Sequence, residues 1–372
     1  MTEWALFTES SANVGGQELQ CMQQMAAFEA AGFQAMLACR PGSRVEQVAL
    51  ARGLRCLPVA FRNSLHPPSV LSLRRWIRAH RPRLAICHSG HDSNVLAIAA
   101  RLAGGARPFI LRSRTYQPGK PAAWSYNHLA DATMVPSRYL RDCLLANPAI
   151  RQERVRVVYP GIDFAGIEAA AGQPLPAGVE AWLAAGEGPV LVHAAMLRGE
   201  KGHPTLLQAL HLLRERGVAA RYLIAGEGPE EATIRARIVE LGLQDRVWLA
   251  GVVSPVAPLL ARADLVVMPS GYEPLGMSQL EALGLGVPVI ASDTGGIPET
   301  ISHGQTGLLV PPGDAAAWAE AIASALDDYP AMRRMAEEGR REVRARFSPA
   351  RNLSQVLQLA GLAPAGKDDG YA

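Results

Sequence analysis

The sequence contains no run of 18 apolar residues that is free of charged side chains, so we expect no membrane-spanning helix. Its first residues, MTEWALF, place an acid in a strand-like apolar stretch and lack the basic start of a secretory signal peptide. We therefore expect a cytoplasmic protein. The chain has 372 residues, of which about half are apolar, and this length predicts roughly two domains.

Cysteines are few and are poorly placed for disulfide bonds or metal sites. All five lie before residue 150, none forms a CxxC pair, and several stand inside apolar runs. We interpret them as buried, reduced thiols of an intracellular protein. Their positions are Cys21, Cys39, Cys56, Cys87 and Cys143.

Lysine is also scarce, since only Lys120, Lys201 and Lys367 occur among 37 basic residues. Charge is distributed unevenly: residues 1–164 contain 20 basic and 10 acidic side chains, whereas the remainder contains 17 and 24. This asymmetry predicts that the first half faces something anionic. An arginine-rich composition without functional meaning explains it as well, and both interpretations stay open.

Short apolar runs alternate with helix-length amphipathic stretches, which is typical of parallel α/β sheets. The first series of predicted strands comprises WALF, AMLAC, LAICHS, PFILRS, ATMVP and VRVVYP. The second comprises PVLVHAA, ARYLIAG, RVWLAG, DLVVMPS, VPVIAS and TGLLVP.

These series predict an α/β protein of two Rossmann-like domains that face each other across a cleft. Ligands of such sheets bind at the carboxyl ends of the strands, so functional residues should directly follow strands. We predict an N-terminal Rossmann-like domain, a linker, a second Rossmann-like domain, a C-terminal helix that packs back toward the first domain, and a tail. The bounds are 1–165, 166–188, 189–346, 347–362 and 363–372.

The stretch PSGYEPLGMSQLEALGLGVPVIASDTGGIPE places Glu273 and Glu281 on either side of a predicted helix start. The free N–H groups at such a start bind phosphate, while carboxylates accept hydrogen bonds from sugar hydroxyls. This spacing therefore brackets a sugar nucleotide, although an acidic first turn favoured by the helix dipole is the simpler explanation for Glu273 alone. The predicted donor-binding backbone comprises Leu275, Gly276, Met277 and Ser278.

Other candidate residues also follow predicted strands. Arg198 and Lys201 precede a helix and can neutralise a diphosphate, unless they are ordinary solvated charges. Gly226 in GEGP and Gly16 in NVGGQE mark turns where backbone can approach the donor, although plain structural turns are equally consistent with them.

Polar side chains after two first-domain strands are candidates for the acceptor side. Three of them, His88, His91 and Asp92, resemble part of a metal site, but a further ligand is missing and we expect no metal. Helix capping by Asp92 or Ser93 is the alternative. The predicted acceptor-side residues are His88, His91, Asp92, Arg112 and Arg114.

The segment 69–83 is basic and amphipathic, so it fits either an anionic membrane surface or the solvated face of a packed helix. Nothing in the sequence suggests a nucleic-acid partner.

Taken together, these motifs resemble the retaining, family-four nucleotide-sugar glycosyltransferases of the GT-B fold. The resemblance covers most of the chain and is densest over 189–313, with NVGGQE and VVYPGID in the first half. It implies that Glu273 contacts the donor sugar, that Glu281 contacts the ribose, and that Lys201 and the 275–278 amides bind the diphosphate. The predicted catalytic residues are Glu273, Lys201 and Arg198. The resemblance also implies a metal-independent reaction without a cofactor.

Two positions depart from the pattern of that family. The arginine expected five residues before Lys201 is replaced by Met196, so Arg198 is the candidate for its role. A histidine frequent after the fifth strand is replaced by Arg114 or Thr115.

The leading hypothesis is a glycosyltransferase of lipopolysaccharide or cell-envelope assembly, peripheral at the inner face of the cytoplasmic membrane. The alternatives are transfer to a small soluble acceptor, a non-catalytic subunit that binds sugar nucleotides, and an epimerase.

Overall fold

A computed structural model describes residues 3–116 and 119–362 of the chain. The fold divides into two compact units. The first unit combines the chain up to Ile162 with the segment from Phe347 onward, and the second unit spans Asp163–Arg346.

The first unit is a seven-stranded parallel sheet with the strand order β3-β2-β1-β4-β5-β6-β7. Its strands are β1 (Trp4–Glu9), β2 (Gln34–Cys39), β3 (Cys56–Pro58), β4 (Leu84–Cys87), β5 (Phe109–Ser113), β6 (Ala132–Val135) and β7 (Val155–Val157). Its helices are α1 (Gly16–Ala30), α2 (Arg44–Ala51), α3 (Pro67–His80), α4 (Gly90–Leu102), α5 (Ala123–His128) and α6 (Arg138–Leu145), together with the last helix of the chain.

The second unit is a six-stranded parallel sheet with the order β10-β9-β8-β11-β12-β13. Its strands are β8 (Val190–Ala194), β9 (Arg221–Ala225), β10 (Val247–Gly251), β11 (Leu265–Met268), β12 (Val289–Ser292) and β13 (Leu308–Val310). Its helices are α7 (Phe164–Ala171), α8 (Ala177–Ala185), α9 (His203–Glu215), α10 (Glu231–Glu240), α11 (Ala257–Ala261), α12 (Met277–Gly284), α13 (Ala315–Asp327) and α14 (Tyr329–Arg346). The last helix of the chain, α15 (Pro349–Leu359), lies in the first unit.

The prediction of two Rossmann-like α/β domains is confirmed, and each of the twelve predicted apolar runs contains a strand. The central strands are buried along their length because helices cover both faces of a parallel sheet, which explains their continuous apolar character. Sequence analysis missed β3. This strand has only three residues, lies at the sheet edge and ends in Pro58, so it is too short for a periodic signal.

The segment 166–188, predicted as a linker, instead contributes two helices to the second unit. Its alanine content suggested a connector, but alanine is the best helix former. The carboxylate of Asp163 caps α7, the ring of Phe164 packs on Gly284 of α12, and Val179 of α8 is buried. These contacts anchor the segment to the domain that follows it.

Helix α15 packs against α1 within the first unit. The buried Asn352 side chain accepts a hydrogen bond from Gln24 of α1 at 2.8 Å and donates one to the carbonyl of Tyr159 at 2.7 Å. The predicted tail, 363–372, lies outside the described residues. Within the described part of the chain, no helix is long and apolar enough to cross a membrane.

We expect Asn352→Ala to destabilise the first unit by about 1–3 kcal/mol, since it leaves Gln24 and the Tyr159 carbonyl buried without their partner. Hydrogen-exchange mass spectrometry should show lost protection in α1 and α15 and unchanged protection in the second unit. The control is Ser354→Ala at an exposed position of the same helix. Equal protection in both variants would contradict the role of Asn352.

Candidate functional site

The strand order of the second unit reverses between β8 and β11, which are neighbours in the sheet although far apart in sequence. At such a point the loops after the two strands diverge and leave a crevice at the carboxyl edge of the sheet. The loop 195–202 follows β8, and the loop 269–276 follows β11. The predicted donor-site residues of the second unit therefore lie around one crevice.

An ion pair joins these two loops. The Nζ atom of Lys201 donates to Oε2 of Glu273 at 2.6 Å, and the two side chains are only 19% and 11% exposed. A short, largely buried pair of this kind fixes both side chains, in contrast to a solvated surface pair. The structure thus brings together two of the three residues predicted to be catalytic.

Close backbone packing holds the loops in register. Gly202 has φ of 72°, and a Cβ atom there would lie 1.8 Å from the carbonyl oxygen of Pro269. The amide of Gly271 donates to the Glu200 carbonyl at 2.8 Å, and the amide of Gly296 donates to the Glu273 carbonyl at 2.9 Å. The loop after β12 therefore supports Glu273 from behind.

The start of α12 is open for an anion. Gly276 has φ of 93°, which turns the chain into the helix. No described residue accepts a hydrogen bond from the amides of Leu275, Gly276 or Met277. The hydroxyl of Ser278 donates to the Ala194 carbonyl at 2.8 Å, so this side chain ties α12 to the end of β8. The predicted backbone donors are present, whereas the Ser278 hydroxyl is already engaged.

Glu281 lies one turn further along α12. Among the described residues, no cation and no hydrogen-bond donor contacts its carboxylate. Burial raises the pKa of Glu281 to about 7. The buried Glu281 carboxylate is stabilised best by hydroxyl groups of a ligand, which donate hydrogen bonds to its oxygens without adding charge.

The other predicted residues of the second unit have different surroundings. Arg198 is largely exposed, with Nη1 3.9 Å from Oε1 of Glu200. Met196, at the position where the family has arginine, is 51% exposed. Gly226 is required by packing, because a Cβ atom there would lie 2.0 Å from the carbonyl oxygen of Ala195.

Sequence analysis missed a buried polar cluster close to the 195–202 loop. The hydroxyl of Tyr222 lies 2.9 Å from Nδ1 of His193 and 3.5 Å from Nδ1 of His203, and Nε2 of His203 lies 3.4 Å from the Met196 carbonyl. Burial lowers the pKa of His203 to about 4 and that of His193 well below its usual range. The cluster therefore supports the loop without adding charge beside Lys201.

The first unit has its own reversal of strand order, between β1 and β4. Two fully buried acids, Glu9 and Asp92, lie there. Asp92 accepts hydrogen bonds from Thr8, Ser10 and the amides of His88 and Ser89. Burial, followed by the charge of Glu9, raises the pKa of Asp92 to about 7. Asp92 thus caps the start of α4 from inside, in agreement with the capping alternative.

The predicted acceptor-side residues separate into two groups. His88, Arg112 and Arg114 line one cavity of the first unit. His91 instead contacts the Ser64 hydroxyl at 2.9 Å, and neither His91 nor Asp92 lines that cavity. Gly16 begins α1, and a Cβ atom there would meet no atom within 4 Å.

In residues 3–116 and 119–362, no three His, Cys, Asp or Glu side chains are grouped as a metal site would need.

Two family models match the chain, one in each half. Glycosyltransferase Family 4 matches residues 14–165, and Glycosyl transferases group 1 matches residues 179–342. Both halves of the chain are therefore similar to glycosyltransferases of these two families. The second matched segment contains the crevice between β8 and β11, whereas Glu9 of the first unit precedes the first matched segment.

Curated relatives are similar to this chain over part of their length. N-acetyl-alpha-D-glucosaminyl L-malate synthase of Bacillus anthracis is 37% identical over 45% of this chain and 43% of its own. D-inositol 3-phosphate glycosyltransferase of Nocardia farcinica is 30% identical over 70% of this chain and 57% of its own. The chain spans about two fifths to two thirds of the length of the curated relatives it matches.

Solved structures share the fold over nearly the whole chain. The Anabaena protein HepE, crystallised with UDP and glucose, has a TM-score of 0.80 at 20% identity and covers 96% of this chain and 99% of its own. The apo form of the lipopolysaccharide outer core galactosyltransferase WaaB has a TM-score of 0.68 at 17% identity, over 96% of this chain and 99% of its own.

We expect Gly202→Ala to destabilise the second unit by at least about 2 kcal/mol, because the new Cβ atom overlaps the Pro269 carbonyl and the backbone has positive φ. Gly199→Ala is the matched control in the same loop, since a Cβ atom there meets nothing within 4 Å. Urea unfolding measures both variants. Similar midpoints would show that the loop contact is not required.

We expect Glu281→Gln to raise the unfolding free energy by about 1–3 kcal/mol at pH 8 and to change it little at pH 5. Between about pH 4.5 and 7 the folded state holds more of this proton than the unfolded chain, so wild-type stability falls as the pH rises. Urea unfolding at both pH values measures the difference. Glu187→Gln, at an exposed position, is the control, and an equal effect of Glu281→Gln at both pH values would exclude a raised pKa.

Proposed function

We propose that the chain is a retaining glycosyltransferase that moves a sugar from a nucleotide-sugar donor to a glycolipid, a lipopolysaccharide or another envelope glycan. The observation that carries the donor assignment is the Lys201–Glu273 pair beside the open start of α12, with the unpartnered Glu281 one turn away. This combination offers one cation and free amides for phosphate, and carboxylates for hydroxyl groups.

Donor binding follows from the charges in the crevice. The diphosphate accepts hydrogen bonds from the amides of Leu275, Gly276 and Met277 and attracts the ammonium group of Lys201. Glu281 then accepts from the ribose and Glu273 from the donor sugar. This arrangement fixes the orientation of the donor, since carboxylates repel its phosphates but bind its hydroxyl groups.

The same groups favour departure of the nucleotide. Negative charge grows on the diphosphate as the bond between the sugar and the diphosphate breaks. The backbone amides and Lys201 are already in position and stabilise this charge. Arg198 joins them when its side chain leaves Glu200, a contact of 3.9 Å at an exposed site that costs little to break. The acceptor attacks the face from which the nucleotide leaves, so the configuration of the sugar is retained. No metal or cofactor takes part in this scheme.

The envelope acceptor is supported by the basic character of the first half of the chain. On α3, Arg75 and Arg78 are exposed, and the large apolar side chains of Leu65 and Leu71 are exposed in the same region. Cationic and apolar groups together favour a surface of anionic lipid. We therefore propose a location in the cytoplasm, peripheral to the inner face of the cytoplasmic membrane.

Transfer to a small soluble acceptor is the second candidate, because two relatives are named for L-malate and D-inositol 3-phosphate. A non-catalytic subunit that binds sugar nucleotides is the third, based on Met196 in place of arginine. Salt-dependent sedimentation with anionic vesicles supports the envelope acceptor, and absence of released nucleotide supports the non-catalytic subunit.

We expect one class among UDP-, GDP- and ADP-sugars to raise the melting temperature by several degrees at saturation and to release free nucleotide slowly. Glu281→Ala should weaken this binding at least tenfold by removing the ribose acceptor, whereas Glu187→Ala should not. Thermal shift and a nucleotide-release assay measure the two effects. Folded protein that responds to none of these donors would refute the donor site.

A further inference from the structure

A cavity of about 290 Å³ opens in the first unit, at the carboxyl ends of β4 and β5. Its wall is basic, with Arg112, Arg114 and Lys120 and no aspartate or glutamate among its lining residues. Asn94 on the first turns of α4 also lines it, and its side-chain amide contacts no other described residue. The cavity therefore offers positive charge and hydrogen-bond donors.

Arg112 is the central observation. Its side chain is buried, with 7% of the residue exposed. One Nη atom donates to the Ser125 hydroxyl at 3.3 Å, and the guanidinium lies over the Tyr126 ring at 5.1 Å. Nε is sealed from solvent and contacts no acceptor, and no carboxylate of the described residues pairs with this arginine. A buried cation that lacks an anion is costly unless a ligand supplies one.

The nearby acids do not provide that anion. The carboxylate oxygens of Asp92 already accept hydrogen bonds from Thr8, Ser10 and the amides that precede α4. Glu9 accepts from the amide of Ser11 and from the side chains of Gln17 and Ser89. Neither forms an ion pair with Arg112. The charge of Arg112 thus remains for a molecule that enters the cavity.

We propose that this cavity binds a phosphate or carboxylate group of the acceptor, with Arg112 as its main contact and Lys120 and Asn94 at its rim. This inference rests on the proposed function, since it assigns the anion to the acceptor of the transfer. A planar guanidinium matches both groups with two parallel hydrogen bonds. The volume is many times the ~30 Å³ that one water occupies in the liquid, so part of the molecule that carries the anion fits as well.

The anionic acceptor has two sources with the same chemistry, a soluble phosphorylated polyol or sugar and a lipid headgroup. Glycerol 3-phosphate represents the first, and vesicles that contain phosphatidic acid represent the second. Malonate tests whether a carboxylate suffices. If the protein binds glycerol 3-phosphate at least as tightly as it binds the vesicles, the acceptor is soluble. If it binds the vesicles clearly more tightly, the acceptor is a lipid. Both results support the anion site.

The experiment uses the full chain and titration calorimetry. We expect Arg112→Gln to weaken binding of glycerol 3-phosphate at least tenfold, through loss of a charge-assisted pair, and Lys120→Gln to weaken it severalfold. Lys120 is exposed, so that variant tests the site even if Arg112→Gln fails to fold. Arg52→Gln removes the same charge from an exposed position outside the cavity and should leave binding within twofold.

Nucleotide-sugar binding, measured on the same samples, separates this inference from the proposed function. If wild type and variants all bind the nucleotide sugar, while the anions bind nowhere or bind every variant equally, the inference is wrong and the function stands. If no nucleotide sugar binds to wild type, the proposed function and the acceptor assignment fall together, whatever the anions do.

Discussion

Reversal of strand order is the constraint on which both candidate sites depend. In a parallel sheet every strand ends at the same edge, and only at the reversal do adjacent loops turn away from each other. The second unit places Lys201 and Glu273 at the reversal between β8 and β11. The first unit places Glu9 and His88 at the reversal between β1 and β4. His88 also lines the cavity beside this reversal, at the ends of β4 and β5.

The two units differ in whether a buried cation is paired with an acid of the protein. In the second unit, Lys201 is neutralised by a carboxylate at 2.6 Å, and the nearby histidines are kept uncharged by burial. In the first unit, Asp92 is stabilised by hydrogen bonds from its own turn, whereas Arg112 has no acid partner. The first arrangement neutralises the charge within the fold, whereas the second leaves a buried charge for the anion that we propose as its ligand.

Sequence analysis predicted the strands because apolar runs leave a local signal. The candidate donor residues of the second unit remain a prediction, made because polar residues directly follow two of these strands. Sequence analysis could not predict that Asp92 turns inward, since the donors Thr8 and Ser10 lie more than 80 residues away. It also missed the cluster of His193, Tyr222 and His203, because single polar residues in apolar runs have no periodic pattern. The surroundings of Asp92 and of this cluster depend on contacts between segments that are distant in sequence.

The Lys201–Glu273 pair has a consequence for the response to ionic strength. A cation in open water is surrounded by mobile ions, and a ligand that replaces them is weakened by salt. Lys201 carries its counter-charge within the fold, at 2.6 Å and largely shielded from solvent. A diphosphate that enters the crevice therefore competes with Glu273 rather than with dissolved chloride. If the diphosphate binds there as proposed, salt should weaken its contact with Lys201 less than it would weaken a contact with a fully exposed lysine.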